Sequence, residues 1–156
     1  MRKFLRIAIC GVAMFGLACI CGCNSGKITI SAQELGNRLL NEINYVDELN
    51  EIPMENADMI FSFGDANVSE ASIYEGNGGT AEEIVVVKCA ASEDVSKVKA
   101  GLETRIEEQK ECFKDYVPEE MEKLNNAVLI TNGDYVILSV SDEPDKAKTI
   151  INNAGK

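Results

Sequence analysis

Apolar residues recur along this chain in two rhythms, and the alternation between them predicts a domain of mixed helix and sheet. Ala32, Leu35, Leu39, Ile43 and Val46 fall at steps of three and four, the spacing of one helix face. Ser31-Ala32-Gln33-Glu34 in front of them is a capping box, so a helix is expected from there to about Asn44. Residues 49–56, with Pro53, read as a loop. Three strands follow, at 58–63, 70–75 and 82–89, with the glycine-rich Gly76-Asn77-Gly78-Gly79 as a turn before the third. In that third segment Ile84-Val85-Val86-Val87 is apolar on both faces, which fits a central strand rather than an edge.

Ser92 is placed to cap the longest helix, with Glu93 and Asp94 complementing its dipole. Val95, Val98, Leu102, Ile106, Gln109, Phe113 and Tyr116 continue it as a stripe that must lie across the sheet. Val117-Pro118 ends the stripe, and Pro118 suits the first position of a short helix through Leu124. Residues 127–131 and 134–140 read as a hairpin, since the intervening Asn132-Gly133 suits a type I′ turn. Pro144 opens a closing helix with Ala147, Ile150, Ile151 and Ala154 facing inward. This order predicts an α+β fold. The expected form is a two-layer sandwich, with a mostly antiparallel sheet of about five strands and the helices packed on one face. Residues 31–156 form its single domain, and neither an internal repeat nor a low-complexity tract interrupts it.

Residues 1–22 follow another pattern. Arg2, Lys3 and Arg6 precede an apolar run from Ile7 to about Ile20, the layout of a secretory signal peptide. The stretch from Ile7 to Gly22 is too short to span a bilayer as a helix. The run closes in Ile20-Cys21-Gly22-Cys23 and turns polar at Asn24-Ser25. This resembles the lipobox of bacterial lipoproteins. The resemblance implies cleavage before Cys23 and acylation of that residue, and with it attachment to the extracytoplasmic face of the cell membrane. Cys19 has its aliphatic residue one place too late, and Cys21 follows bulky Ile20 where a small residue is needed. Residues 23–30 would then be a tether reaching roughly 25–30 Å.

Charge narrows the partners. Removing residues 1–22 takes three of 15 cations and none of the 26 acids, so the remainder carries 12 against 26, a net −14. Such a body is repelled by nucleic-acid phosphate, and no nucleic-acid partner is expected. Four of the six cysteines fall in the targeting segment. Cys89, at a strand end, and Cys112, far along the next helix, are too distant for a disulfide and are expected as two separate, half-buried thiols.

Histidine is absent, which removes Ser-His-Asp and Cys-His catalysis and imidazole zinc sites. No Walker-type or dinucleotide glycine pattern occurs, and no cofactor or metal is expected. The runs Glu82-Glu83 and Asp142-Glu143-Pro144-Asp145 could support glycoside hydrolysis or calcium binding, but in a chain this acidic they read as solvated faces. The most informative polar set is Arg105, Gln109 and Tyr116, on the same side as Leu102, Ile106 and Phe113. An unpaired buried donor costs about 1–3 kcal/mol, so these groups need partners. One reading is a hydrogen-bond network, Arg105 pairing with a strand carboxylate such as Glu83 and Gln109 with backbone at the helix–loop junction. The other is a cleft between helix and sheet that captures an anionic or peptide ligand, with Arg105 as anchor.

Glu82-Glu83-Ile84 before a valine-rich strand, then Arg105, Gln109, Phe113, Tyr116 and Pro118, then Asn132-Gly133-Asp134-Tyr135, resemble the domain of unknown function 4358 over about residues 31–152. Its members are mostly lipoproteins of clostridial-type Gram-positive bacteria. The resemblance implies a shared fold and an envelope location, and no activity. The expected function is a non-catalytic module bound to the membrane through the lipid on Cys23, taking an envelope protein or a small ligand. An enzyme acting on envelope polymers through carboxylates alone is the alternative. A subunit that completes its fold on a partner is the third.

Overall fold

The computed structural model describes residues 26–57 and 60–156, so the expected signal peptide and Cys23 lie outside the described residues. Five strands form one antiparallel sheet: β1 (Asn50–Glu51), β2 (Val68–Glu75), β3 (Glu83–Cys89), β4 (Val128–Asn132) and β5 (Tyr135–Val140), in the order β1-β2-β3-β5-β4. The central register sets Ile73 opposite Val85 and Val85 opposite Leu138. The helices are α1 (Ala32–Glu42), α2 (Met54–Ala57), α3 (Asp94–Phe113), α4 (Met121–Asn125), preceded by a single 3-10 turn at Pro118–Glu120, and α5 (Pro144–Asn153). The fold is α+β, as the pattern predicts.

The helices do not share one face. β3 alternates strictly, so Ile84 and Val86 join a core under α1 and α5 with Leu35, Leu39 and Ile151. Val85 and Val87 join a second core under α3 and α4 with Phe61, Val98, Leu102 and Leu124. The sheet is therefore covered on both sides, which corrects the two-layer expectation. Its physical reason is the run of four apolar residues in β3, since a strand apolar on both faces must be buried on both.

Three local expectations also change. Of the strand expected at 58–63, residues 58 and 59 lie outside the described residues and 60–63 do not pair into the sheet, while β1 forms where a loop was expected. Phe61 and Phe63 stack on each other at 5.7 Å and fill the α3-side core. The chain there runs against α3, where a Cβ on Gly101 would stand 2.3 Å from the Ser62 carbonyl oxygen. Ser92 lies in a turn and caps nothing; α3 starts after Glu93 without a side-chain cap. The hairpin turn is shifted by one residue, with Asn132 paired to Tyr135 and Gly133-Asp134 at the corner. Of these two corner residues only Gly133 has positive φ, at 58°. That is the type II′ pattern rather than I′. At α1 half of the expected capping box forms: Ser31 Oγ accepts the Glu34 amide at 3.1 Å, while the Glu34 carboxylate pairs with Arg38 and the Ala32 amide donates to Glu70 Oε2 instead.

The body also starts earlier than Ser31. Residues 26–30, expected as tether, are hydrogen-bonded to Asn132, Tyr135 and Ala154. Cys89 and Cys112 are both free, and the expected half-burial is replaced by a buried Cys89 and an exposed Cys112. No helix among the described residues is long and apolar enough to cross a membrane.

Candidate functional site

A cleft of about 310 Å³ opens between the C-terminal half of α3 and the loop joining β2 to β3. Arg105, Gln109, Phe113 and Tyr116 line one side, and Glu75, Gly78 and Thr80 the other. The loop wall is fixed from below. Asp47 Oδ2 accepts the Asn77 amide and its Oδ1 accepts the Asn77 side chain, each at 3.1 Å, so the glycine-rich run is held rather than free. Positive φ at Gly78, 89°, gives that loop its bend. Glycine adopts this conformation without steric cost.

Arg105 occupies the floor, 14% exposed. Its Nε donates to Glu83 Oε2 at 3.1 Å and its Nη2 donates to Glu75 Oε1. The guanidinium also sits 5.3 Å from the Phe61 ring centre. That separation is within cation–π range. With two carboxylates already on it, Arg105 is not a vacant anion anchor, which corrects that part of the cleft expectation. Gln109 faces Glu83 and favours its charged form, rather than meeting the helix–loop backbone. Tyr116 departs most from expectation. α3 stops at Phe113, and Tyr116 follows in a turn, 78% exposed on the cleft rim. The three residues read as one polar set do line one cleft, from floor to lip.

Glu83 is 1% exposed, and Oε1 makes no hydrogen bond of full geometry. Burial drives its pKa up to about 7, against the opposing pull of Arg105. Beside it Glu82 is equally buried, which corrects the solvated reading of this pair. Its Oε2 accepts the Val46 and Asp47 amides at 2.8 and 2.9 Å, and its Oε1 accepts Lys123 Nζ at 3.0 Å. Lys123 also donates to Glu120 Oε1 at 3.1 Å, while Glu120 Oε2 accepts the Ala81 amide at 2.9 Å. Burial would lower the Lys123 pKa, but its hydrogen bonds to Glu82 and Glu120 outweigh that and hold it above the ordinary value.

The sequence reading missed this second network. The available signal was position: two carboxylates leading into a strand buried on both faces enter buried layers themselves. In the other run Asp145 pairs with Lys148 at the surface as expected, whereas Glu143 Oε2 accepts the Asn44 amide at 2.7 Å and Asp142 reaches the buried Lys123 at 3.6 Å. Among the described residues no three His, Cys, Asp or Glu side chains gather as metal ligands.

Residues 44–141 match the family model of the domain of unknown function DUF4358. The chain belongs to that family. The DUF4358 match contains the sheet, α3, α4, the cleft and both carboxylate networks, and excludes α1 and α5. It is narrower than the resemblance over 31–152. No curated protein and no solved structure matches the chain.

Proposed function

We propose that this DUF4358 protein is a lipid-anchored module of the cell envelope, held through Cys23, whose body binds a ligand or partner protein without catalysing a reaction on it. The observation that carries the binding reading is the cleft over Arg105. It is concave and combines a buried ionic floor with an exposed aromatic lip at Tyr116. Small-molecule and peptide sites are commonly concave in this way, with a few fixed polar groups. Rigid polar groups under an exposed aromatic side chain suit recognition, because the lip adds contact area while the floor fixes orientation. The lipobox ending in Cys23 supports the anchoring.

One observation favours the alternative, a carboxylate-dependent enzyme. Glu75 and Glu83 converge on Arg105, and Glu83 titrates near neutrality, as a proton-transferring acid would. Access weighs against it. Glu83 is sealed beneath Arg105 and Gln109 and does not line the cleft, and Glu82, which does, has its carboxylate buried on the Val46 and Asp47 amides and Lys123, so of these carboxylates a substrate seated there meets that of Glu75.

A photoreactive phenylalanine analogue replacing Tyr116, in the cells that make the protein, tests the binding site. Position 46 is the control, since Val46 is 74% exposed and outside the cleft. A distinct cross-linked species at 116 and not at 46 is expected. Absence of adducts at 116, or the same adducts at both, contradicts the proposal.

A further inference from the structure

The chain enters the domain along a fixed path at one end of the sheet. Asn132 Nδ2 donates to the Gly26 carbonyl at 3.1 Å, and its Oδ1 accepts the Ile28 amide at 3.3 Å. The Thr29 amide donates to the Ala154 carbonyl at 3.3 Å, and the Tyr135 hydroxyl to the Ile30 carbonyl at 2.8 Å. Gly155 admits this close approach, since a Cβ there would stand 2.2 Å from the Lys27 carbonyl oxygen. Cys23 is three peptide steps from Gly26, which span at most about 11 Å whatever their conformation.

Charge singles out the same edge. Of the 12 cations after residue 22, ten form ion pairs with carboxylates. The two that form none among the described residues are Lys27 and Lys156, on either side of the Gly155 contact. Lys156 Nζ is held by Asn153 Oδ1 at 2.8 Å. The acids nearby are Asp134 of the hairpin turn and Glu70, the latter tied to Lys88 at 2.6 Å. On a body of net −14, two cations free of carboxylate partners among the described residues lessen the repulsion of this edge from an anionic surface.

From these two observations we infer that the edge formed by residues 26–28, the Gly133-Asp134 turn and the C-terminal end of α5 is the face laid against the lipid bilayer. The inference rests on acylation of Cys23. A domain of this length is roughly 30–35 Å across. Turning the opposite end to the membrane would lift Gly26 by about that distance, which three peptide steps cannot bridge. β3 runs from Glu83, beneath the cleft, to Cys89, whose amide donates to the Asp134 carbonyl at 2.8 Å. At the usual rise per residue, β3 covers about 20 Å, so the cleft opens at the end of the sheet away from the lipid.

The test uses the full chain, purified in its lipidated form and reconstituted into phosphatidylcholine–phosphatidylglycerol vesicles whose headgroups carry a nitroxide quencher. A fluorophore on native Cys112 reports the cleft end, since that thiol is exposed and Cys89 is buried. A fluorophore on Thr131→Cys, in a Cys112→Ser background, reports the turn end, where Thr131 is exposed. Quenching about twofold stronger or more at 131 than at 112 is expected, given the offset of about 20 Å along β3. Equal quenching, or stronger quenching at 112, overturns the orientation. Mass spectrometry of the same sample separates the two readings. An unacylated Cys23 removes anchoring and orientation together, whereas acylated protein with equal quenching removes the orientation alone.

Discussion

Replacing Glu83 by glutamine asks whether burial or Arg105 governs the ionic floor of the cleft. Glutamine keeps an oxygen for Arg105 Nε but cannot ionise. In the folded protein the Glu83 pKa is raised from 4.5 to about 7, so between those values the folded state holds a proton that the unfolded chain has released. Stability from this group is therefore fully present below pH 4.5 and is lost as pH rises towards 7. At about 1.4 kcal/mol per tenfold, the gap amounts to about 3 kcal/mol. Solvent does not diminish it, because the carboxyl is fully buried. Urea unfolding of both proteins from pH 4 to 8 reads it directly. Glu70 and Glu143, whose pKa values hydrogen bonds hold below the ordinary range, act in the opposite sense but cancel in the difference. The wild type should lose about 3 kcal/mol relative to Glu83→Gln across that window and level off above pH 8. A flat difference, or one that grows in favour of wild type as pH rises, would refute the reasoning and make the Arg105 attraction dominant.

Three further outcomes follow from the packing. Lys123→Met leaves Glu82 and Glu120 buried without their cation. It should cost about 3–5 kcal/mol by denaturant titration, with Glu82→Gln added to it recovering part. Gly36→Ala would bring a Cβ to 2.2 Å from Ser72 Oγ, so α1 must shift from β2. That should lower stability by about 1–3 kcal/mol, again by denaturant titration, and adding Ser72→Gly should restore some of it. A bulky maleimide should modify Cys112 in the native protein and reach Cys89 once the protein is unfolded, read as mass added per molecule.

Much of the fold was legible because its elements carry strong local signals. The Ser31 cap, the alternating cores of β3 and β5 and the inward face of Ala147, Ile150 and Ile151 all follow from spacing. The number of layers is legible too, since four consecutive apolar residues in β3 require cover on both faces, which helices on one face cannot give. Residues 60–63 carry an ambiguous pattern. Two phenylalanines in alternation mark an extended chain with one buried side, which describes a segment packed across a helix as well as a strand. Polar positions on an apolar helix mark the cleft residues, but Tyr116 lies past the end of α3, and periodicity does not register where a helix stops. The Glu82–Lys123 pair lies 41 residues apart in sequence, and nothing local to either residue announces it. Buried charge is fixed by its partner, and the partner is a tertiary fact.

The most direct measurement of the anchoring on which the account rests is the mass of the mature N-terminus, taken from protein isolated from its own membranes. A chain beginning at Cys23 and carrying a diacylglyceryl group on its sulfur is the result the account predicts. An unacylated start at any other residue would contradict it.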